Sequence, residues 1–168
     1  MKQKKGGGKT PRFLIIGIGN EFRSDDGVGL AVARSLVGLL PKNAKIIEES
    51  GEGASLMNAW SDVDGVIIID AVKSGALPGR IHQLDATKET VPTGYFNYSS
   101  HAFGVAEAIE ISRTLGNLPA TLHIYGIEGK SFSSGTELSP EVRRSAEEVK
   151  DRILQDVNSF MRIFDKNI

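Results

Sequence analysis

The stretch GIGNEFRSDDGVGLAV, residues 17–32, decides the fold of this chain. Residues 13–18, which overlap its beginning, form a short apolar run rich in β-branched side chains, and this predicts a buried strand. The run stops at Gly19 and Asn20, where the chain is predicted to turn. A strand, a glycine-containing turn and an amphipathic segment in this order are typical of an α/β protein.

Two adjacent acids stand at the start of the amphipathic segment. Ser24 is a residue type that caps helices, so the acids after it, Asp25 and Asp26, are predicted in the first turn of a helix. Acids there stabilise a helix through its dipole by roughly 0.3–1 kcal/mol each, which makes the pair alone weak support for a site. We expect Asp25 to support the helix start and Asp26 to face the crevice beyond the strand; a one-residue shift of the helix boundary would exchange these two roles. The apolar positions of this predicted helix are Val28, Ala31, Val32, Leu36 and Leu39.

The rest of the chain repeats the alternation of strands and helices. Residues 1–10 are basic and are predicted to be a flexible tail, and residues 11–168 are predicted to form a single α/β domain. The predicted fold is a three-layer sandwich, with a mainly parallel, twisted sheet of about five strands flanked by helices. Further strands are predicted at residues 44–50, 65–70, 79–84 and 120–127, and further helices within residues 51–60, from near His101, and from Ser139 and Pro140 through Phe164.

Composition excludes several classes of function. The 168 residues are 40% hydrophobic with a formal net charge of −1, which fits a globular domain and argues against a nucleic-acid partner. The chain has no cysteine, which excludes disulfides, thiolate metal sites and a cysteine nucleophile and leaves histidine and carboxylates as metal ligands. The apolar stretch near the N-terminus is short and interrupted by glycine. It therefore predicts neither a signal peptide nor a membrane helix, and we expect a cytoplasmic protein without a membrane partner.

Three polar residues are predicted at the carboxyl edge of the sheet, where α/β proteins bind ligands. Asp26 follows the first predicted strand, Asp70 ends the third, and His101 opens a helix. Two carboxylates and one imidazole from distant parts of the chain could hold a divalent cation and leave positions open for a substrate group. Structural roles stay open for each residue by itself: Asp70 could cap a turn, and His101 could be the neighbour of a helix N-cap.

Other sequence templates fit less well. Phe22 stands where a dinucleotide-binding fingerprint has its third glycine, and Gln3 stands where a phosphate-binding loop has its first. The chain has no G-x-S-x-G and no H-E-x-x-H motif. A dispersed Ser/His/Asp triad stays open, because serines and aspartates are too plentiful to discriminate.

Four segments, in order, resemble the maturation endopeptidases of nickel-iron hydrogenases. GIGNEFRSDDGVG (17–29) resembles the family's opening G-x-G-N-x-x-x-x-D-D/E-x-x-G. IIIDAVKSGALPGRI (67–81) resembles its strand-Asp-Ala stretch with a downstream Ser-Gly and Pro-Gly. SSHAFGVAEAI (99–109) resembles its H-x-x-G-L/V helix start, and YGIEGKSFSSGTELSPEV (125–142) resembles its G-I-E/Q strand end and L-S-P-x-V helix start.

This resemblance implies both a role and a site. The family's metal-contacting and catalytic positions fall on Asp26, Asp70 and His101. The implied reaction is one endoproteolytic cut that removes the C-terminal extension of a nickel-iron hydrogenase large-subunit precursor after nickel insertion. Nickel is implied to arrive with the precursor and not to be permanently bound, and a carboxylate or a metal-bound water would start hydrolysis.

Two other functions stay open, and one segment departs from the family pattern. The protein could be a nickel-sensing chaperone that binds the precursor without cutting it, or a metal-dependent hydrolase of other peptides. In ESGEGAS, residues 49–55, Glu52 and a shorter glycine spacing replace the Gly-Thr-x-Gly pattern that is frequent in relatives.

Overall fold

The computed structural model describes residues 12–96 and 103–165, with side chains for residues 12–96 and 103–163. These residues form a five-stranded sheet with helices packed on both of its faces. The strands are β1 (Phe13–Ile18), β2 (Ala44–Glu49), β3 (Gly65–Val72), β4 (Ile81–Asp85) and β5 (Thr121–Glu128). The helices are α1 (Val28–Ser35), α2 (Gly53–Trp60), α3 (Val105–Thr114) and α4 (Pro140–Asp165), and a 3₁₀ turn (Ser24–Gly27) precedes α1.

The sheet has the order β2-β1-β3-β5-β4, in which β4 runs antiparallel to β5 and the other neighbours are parallel. Helices α1 and α4 cover one face, and α2 and α3 cover the other. The central strands β1 and β3 are buried along their whole length, which explains why their sequences are almost wholly apolar. The predicted three-layer α/β fold with a mainly parallel sheet is therefore confirmed.

The connections place a crevice between the two central strands. The chain leaves β1 toward β2 on one side of the sheet and leaves β3 toward β4 and β5 on the other. Such a reversal at adjacent strands is the topological switch point at which open α/β sheets bind ligands. Asp26 follows β1, and Asp70 lies two residues before the end of β3, so the fold brings both residues to the switch point.

Helix α1 lies unusually close to the sheet beside this crevice. A Cβ atom added to Gly29 would lie 2.3 Å from the carbonyl oxygens of both Ile18 and Ile69, so the contact requires glycine. The close contact fixes the start of α1 against the ends of β1 and β3. It also fixes the 3₁₀ turn that leads into the helix.

The helix predicted from Ser24 begins later and ends earlier than expected. Ser24 has a left-handed φ of 54° and begins the 3₁₀ turn, and its hydroxyl donates to the Ser133 carbonyl at 2.9 Å, so it does not cap α1. Helix α1 ends at Ser35 and leaves Leu39 beyond it, 56% exposed. Contacts with a distant loop, which local periodicity does not report, fix this segment.

Other predicted elements lie close to their expected positions. Helix α2 falls within residues 51–60, and α4 begins directly after Ser139. Strand β3 continues to Val72, two residues beyond the predicted end at Asp70, because its pairing with β5 continues over those residues.

Two predictions fall on parts of the chain that the structure does not describe. These are the flexible tail at residues 1–10 and the placement of His101. The helix expected from near His101 begins at Val105 within the described part of the chain. Among the described helices, none combines the length and the apolar character needed to span a membrane.

Candidate active site

A cavity of about 490 Å³ lies at the carboxyl ends of β1 and β3. The two carboxylates predicted for the site, Asp26 and Asp70, both line it. Its other walls come from the turn after β1, the start of α1, the end of β2 and the residues flanking the segment 97–102. These walls include Gly19, Asn20, Phe22, Arg23, Leu30, Glu49, Phe96 and Val105.

Asp26 enters the cavity from the 3₁₀ turn. Its side chain is 13% exposed, and its Oδ2 lies 3.9 Å from Nη1 of Arg23. Burial raises the pKa of this carboxyl, while the Arg23 charge and the Asn20 N–H oppose the rise. A Cβ added to Gly19, whose φ is 149°, would lie 1.9 Å from the Asp26 carbonyl oxygen, so only glycine lets the backbone of Asp26 approach the end of β1.

Asp70 enters the same cavity from β3 and is 7% exposed. Among the described residues it accepts one hydrogen bond, from the N–H of Ala71 at 2.8 Å. Burial raises the pKa of Asp70 well above its usual value, and the negative charge of Asp26 raises it further. The two carboxylates therefore repel each other across one cavity, and a cation placed between them would relieve this repulsion.

Asp25 has a different environment although it is the neighbour of Asp26. It is fully buried, and its carboxylate accepts hydrogen bonds from the N–H groups of Lys130, Ser131 and Ser139 and from the Ser139 hydroxyl. Burial acts to raise its pKa, but these hydrogen bonds outweigh burial and lower it. The sequence predicts that Asp25 supports the start of its helix; its hydrogen-bond partners lie in the loop after β5 and directly before α4.

His101 lies outside the described residues, yet the chain on either side of it borders the cavity. Phe96 and Val105 both line the cavity wall. The Phe103 carbonyl accepts a hydrogen bond from the N–H of Gly53 at 2.9 Å, and a Cβ added to Gly53 would lie 2.4 Å from the Phe103 ring. The loop before α2 is therefore packed against the residues that follow His101.

The family model for hydrogenase maturation proteases matches residues 31–156 of this chain. The chain belongs to this family. The match includes Asp70 and begins after Asp26. Family membership confirms the prediction of an enzyme of the hydrogenase maturation endopeptidase class.

Individual relatives of the protease agree with the family match. It is 28% identical to the hydrogenase 2 maturation protease of Escherichia coli strain K12, over 85% of this chain and 88% of that one. It is 30% identical to the hydrogenase expression/formation protein HupD of Bradyrhizobium diazoefficiens, over 79% of this chain and 70% of that one.

Solved structures share the fold of the protease. The hydrogenase maturating endopeptidase HybD from E. coli superposes with a TM-score of 0.75 at 24% identity, covering 88% of this chain and 93% of that one. The NiFe hydrogenase maturation protease HybD from Thermococcus kodakarensis superposes with a TM-score of 0.68 at 25% identity, covering 87% and 99%.

The rim of the cavity carries an ion-pair cluster that the sequence did not predict. Arg34 contacts Glu48 from Nε at 2.6 Å and from Nη2 at 3.0 Å, and contacts Glu21 from Nη1 at 2.8 Å. The hydrogen bond from Arg34 lowers the pKa of both glutamates. The three residues lie on three separate elements, so no local spacing in the sequence links them.

The segment that departs from the family pattern has a local structural role in this protease. The Glu52 side chain accepts hydrogen bonds from the N–H groups of Ala54 at 3.0 Å and Ser55 at 2.8 Å. Glu52 therefore caps the N-terminus of α2, where a carboxylate also complements the helix dipole. Ser55 in turn donates to Glu49 at the end of β2.

The other two histidines of the protease lie in strands, as predicted, and pair with carboxylates. His82 Nε2 lies 3.1 Å from Glu128, and His123 lies between Asp85 at 3.7 Å and Asp156 at 3.8 Å. Within residues 12–96 and 103–163, no group of three or more His, Cys, Asp or Glu side chains is arranged to hold a metal ion. Asp26 and Asp70 would need a third ligand from elsewhere, such as His101 or the substrate.

Proposed function

We propose that this protease removes the C-terminal extension of a nickel-iron hydrogenase large-subunit precursor after nickel has been inserted. In this proposal Asp26, Asp70 and His101 engage nickel that the precursor carries. The observation that supports it is that Asp26 and Asp70 line one cavity. Burial and the negative charge of Asp26 raise the pKa of Asp70 there.

A divalent cation suits these two carboxylates physically. A buried acid and a partly buried acid with few hydrogen-bond donors are unfavourable as a charged pair. A cation removes both the repulsion and the shortage of partners. Carboxylate oxygens together with an imidazole form a ligand set that binds divalent transition metals such as nickel. Because the ion arrives with the precursor, its capture makes cleavage conditional on completed nickel insertion.

The cavity residues also supply groups for hydrolysis. In the proposed reaction, nickel orients the scissile bond and Asp26 or Asp70 accepts a proton from the attacking water. The raised pKa of these carboxyls supports this role, because it brings a carboxylate closer to the range of an effective general base. The side-chain oxygen of Asn20 accepts from the N–H of Phe22 at 2.9 Å, which leaves its NH₂ group as a donor at the cavity wall. This donor is suited to the oxyanion that develops on the attacked carbonyl.

A mass-spectrometric cleavage assay tests the proposal. The purified protease is incubated with the large-subunit precursor of its own organism, with and without nickel loaded. We expect a single, nickel-dependent loss of a C-terminal peptide. If the nickel-loaded precursor binds and stays whole, the protein is a chaperone and not a peptidase. If it cuts unrelated peptides with a metal of its own, it is a general metal-dependent hydrolase.

The cytoplasmic location stays a prediction from the sequence.

A further inference from the structure

We infer that Asp25 is a positioning residue: by binding the loop after β5 and the start of α4, it fixes the backbone that carries Asp26 and so sets where the Asp26 carboxylate lies in the cavity. This inference rests on the proposed function, because Asp26 matters only if the cavity is the active site. Asp25 itself does not line the cavity.

The Asp25 carboxylate joins two parts of the chain that are far apart in sequence. Its Oδ2 accepts from Lys130 N–H at 2.8 Å, Ser131 N–H at 2.9 Å and the Ser139 hydroxyl at 2.8 Å, and its Oδ1 accepts from Ser139 N–H at 2.7 Å. All four donors are uncharged. A fully buried carboxylate is costly to keep without such bonds, so its position is tightly tied to theirs.

Backbone hydrogen bonds align the same two segments. Ser24 N–H donates to the Gly135 carbonyl at 2.8 Å, and Gly135 N–H donates to the Phe22 carbonyl at 3.0 Å. Asp25 N–H donates to the Ser131 carbonyl at 3.0 Å. Residues 22–25 therefore lie along the loop after β5, and the left-handed backbone of Ser24 directs the chain from this loop into the 3₁₀ turn.

The Asp25 anchor adds to the close packing at Gly19 and Gly29, and it matters for Asp26 because the Asp26 side chain has few partners of its own. A single 3₁₀ turn is too short to be stable by its own hydrogen bonds. Among the described residues the Asp26 side chain interacts with Arg23, at 3.9 Å, and with the Asn20 N–H. The backbone therefore determines where its carboxylate lies relative to Asp70, and the adjacent Asp25 holds that backbone.

Glu128 provides a matched control for the loss of a buried carboxylate. It lies at the same edge of the sheet, is 1% exposed, and accepts from Ser74 N–H, the Ser74 hydroxyl and Gly75 N–H at 2.8–3.1 Å, with His82 also in contact. It therefore has a set of donors similar to that of Asp25. It anchors the loop after β3, and neither Glu128 nor its donors line the cavity.

The test compares Asp25→Asn with Glu128→Gln in the cleavage assay. Both variants should melt at a lower temperature, because each puts an amide NH₂ group against N–H donors. At a temperature where both are folded by circular dichroism, we expect Asp25→Asn to lower kcat by about 10- to 100-fold with KM within about three-fold of wild type. Glu128→Gln should keep kcat within about three-fold. Equal losses of kcat in the two variants would overturn the inference.

Two further measurements test the inference if Asp25→Asn does not fold or if the cleavage assay shows no activity. Ser139→Ala removes one of the four donors to Asp25, and we expect a smaller loss of kcat in the same direction. Crystal structures of wild type and Ser139→Ala give the separation of the Asp26 and Asp70 carboxylates without any assay. An unchanged separation in the variant contradicts the inference, whereas a wild-type protein that does not cleave the precursor contradicts only the proposed function.

Discussion

Four acids at the carboxyl edge of this sheet form two contrasting pairs; Asp25, Glu128 and Asp70 are buried, and Asp26 is partly buried. Asp25 and Glu128 accept several hydrogen bonds each from backbone N–H groups and serine hydroxyls, and their pKa values are lowered although burial acts to raise them. Asp26 and Asp70 face the cavity with few donors, and burial raises the pKa of both. Burial of an acid therefore does not distinguish the cavity pair from the other pair, whereas a shortage of hydrogen-bond donors does.

The contrast also separates stability from function. Charged carboxylates with a full set of donors stabilise the folded state, because unfolding exchanges well-formed bonds for water. Carboxylates whose pKa is raised by burial and repulsion make the folded state less stable at neutral pH. A protein retains such an arrangement where it serves binding or catalysis, since substrate and cation then supply the missing partners.

The largest effect should come from removing the charge of a cavity carboxylate. We expect Asp70→Asn to reduce precursor cleavage by about 10²- to 10⁴-fold, the range typical for loss of a general base. Its free energy of unfolding at pH 7 should stay equal to wild type or rise, because a buried charge is removed. Cleavage and urea unfolding measured on the same preparation check both parts. Full cleavage by this variant would remove Asp70 from the site.

A carboxylate of the other pair should give the opposite result. We expect Glu128→Gln to lower the free energy of unfolding at pH 7 by about 1–3 kcal/mol, because donors of the loop after β3 lose their acceptor. The lowered pKa of Glu128 means that its stabilisation is present above pH 4.5 and is lost as the pH falls through its folded pKa. Urea unfolding at pH 7 and at pH 3.5 should therefore show the difference from wild type shrinking in acid.

The pH dependence of the free energy of unfolding also distinguishes the cavity pair, Asp26 and Asp70, from the pair Asp25 and Glu128. Because the folded pKa of Asp70 lies well above 3.8, the folded state binds more protons than the unfolded state between these two values. The stability that protonation of Asp70 gives is fully present below pH 3.8 and is lost as the pH rises through the folded pKa. We expect Asp70→Asn to lack this loss, so that its stability relative to wild type increases with pH across this window. A difference in the free energy of unfolding that stays constant with pH would show that the folded protein does not raise the pKa of Asp70.

The contrast between the two pairs could be predicted from the sequence only in part. The strands β1 and β3 were predicted because a strand buried on both faces must be almost wholly apolar, and this also placed Asp70 at the cavity. The role of Asp25 was missed because its donors lie 105–114 residues away in the chain. Local sequence patterns predicted that Asp25 interacts with the dipole of its own helix. The long-range hydrogen bonds that decide its role leave no periodic signal in the sequence.

The start of α1 was missed for the same physical reason. Ser24 reads as a helix cap, yet its bonds to Gly135 and Ser133 place it in a left-handed turn instead. The sequence predicted correctly that Asp26 faces the cavity, because the strand before it and the helix after it both have clear hydrophobic patterns. The position of a residue between a clearly predicted strand and a clearly predicted helix can be inferred from the sequence. The hydrogen-bond partners of its side chain cannot be inferred in this way.

The smallest effect is expected at the opposite edge of the sheet, where His123 lies between two carboxylates. His123 lies between Asp85 and Asp156, and the Asp156 carboxylate raises its pKa against the effect of burial. A histidine with a raised pKa stabilises the fold fully below its unfolded pKa of 6.5, and this contribution is lost as the pH rises through the folded pKa.

We therefore expect His123→Gln to lower the free energy of unfolding by about 0.5–1 kcal/mol at pH 6 and by less at pH 8.5. Urea unfolding at the two pH values measures the change, and cleavage of the precursor should equal that of wild type at both. A loss of cleavage without a loss of stability would show that the amino edge of the sheet contributes to the reaction. The distinction between acids that stabilise the fold and acids that face the cavity would then no longer be confined to one edge of the sheet.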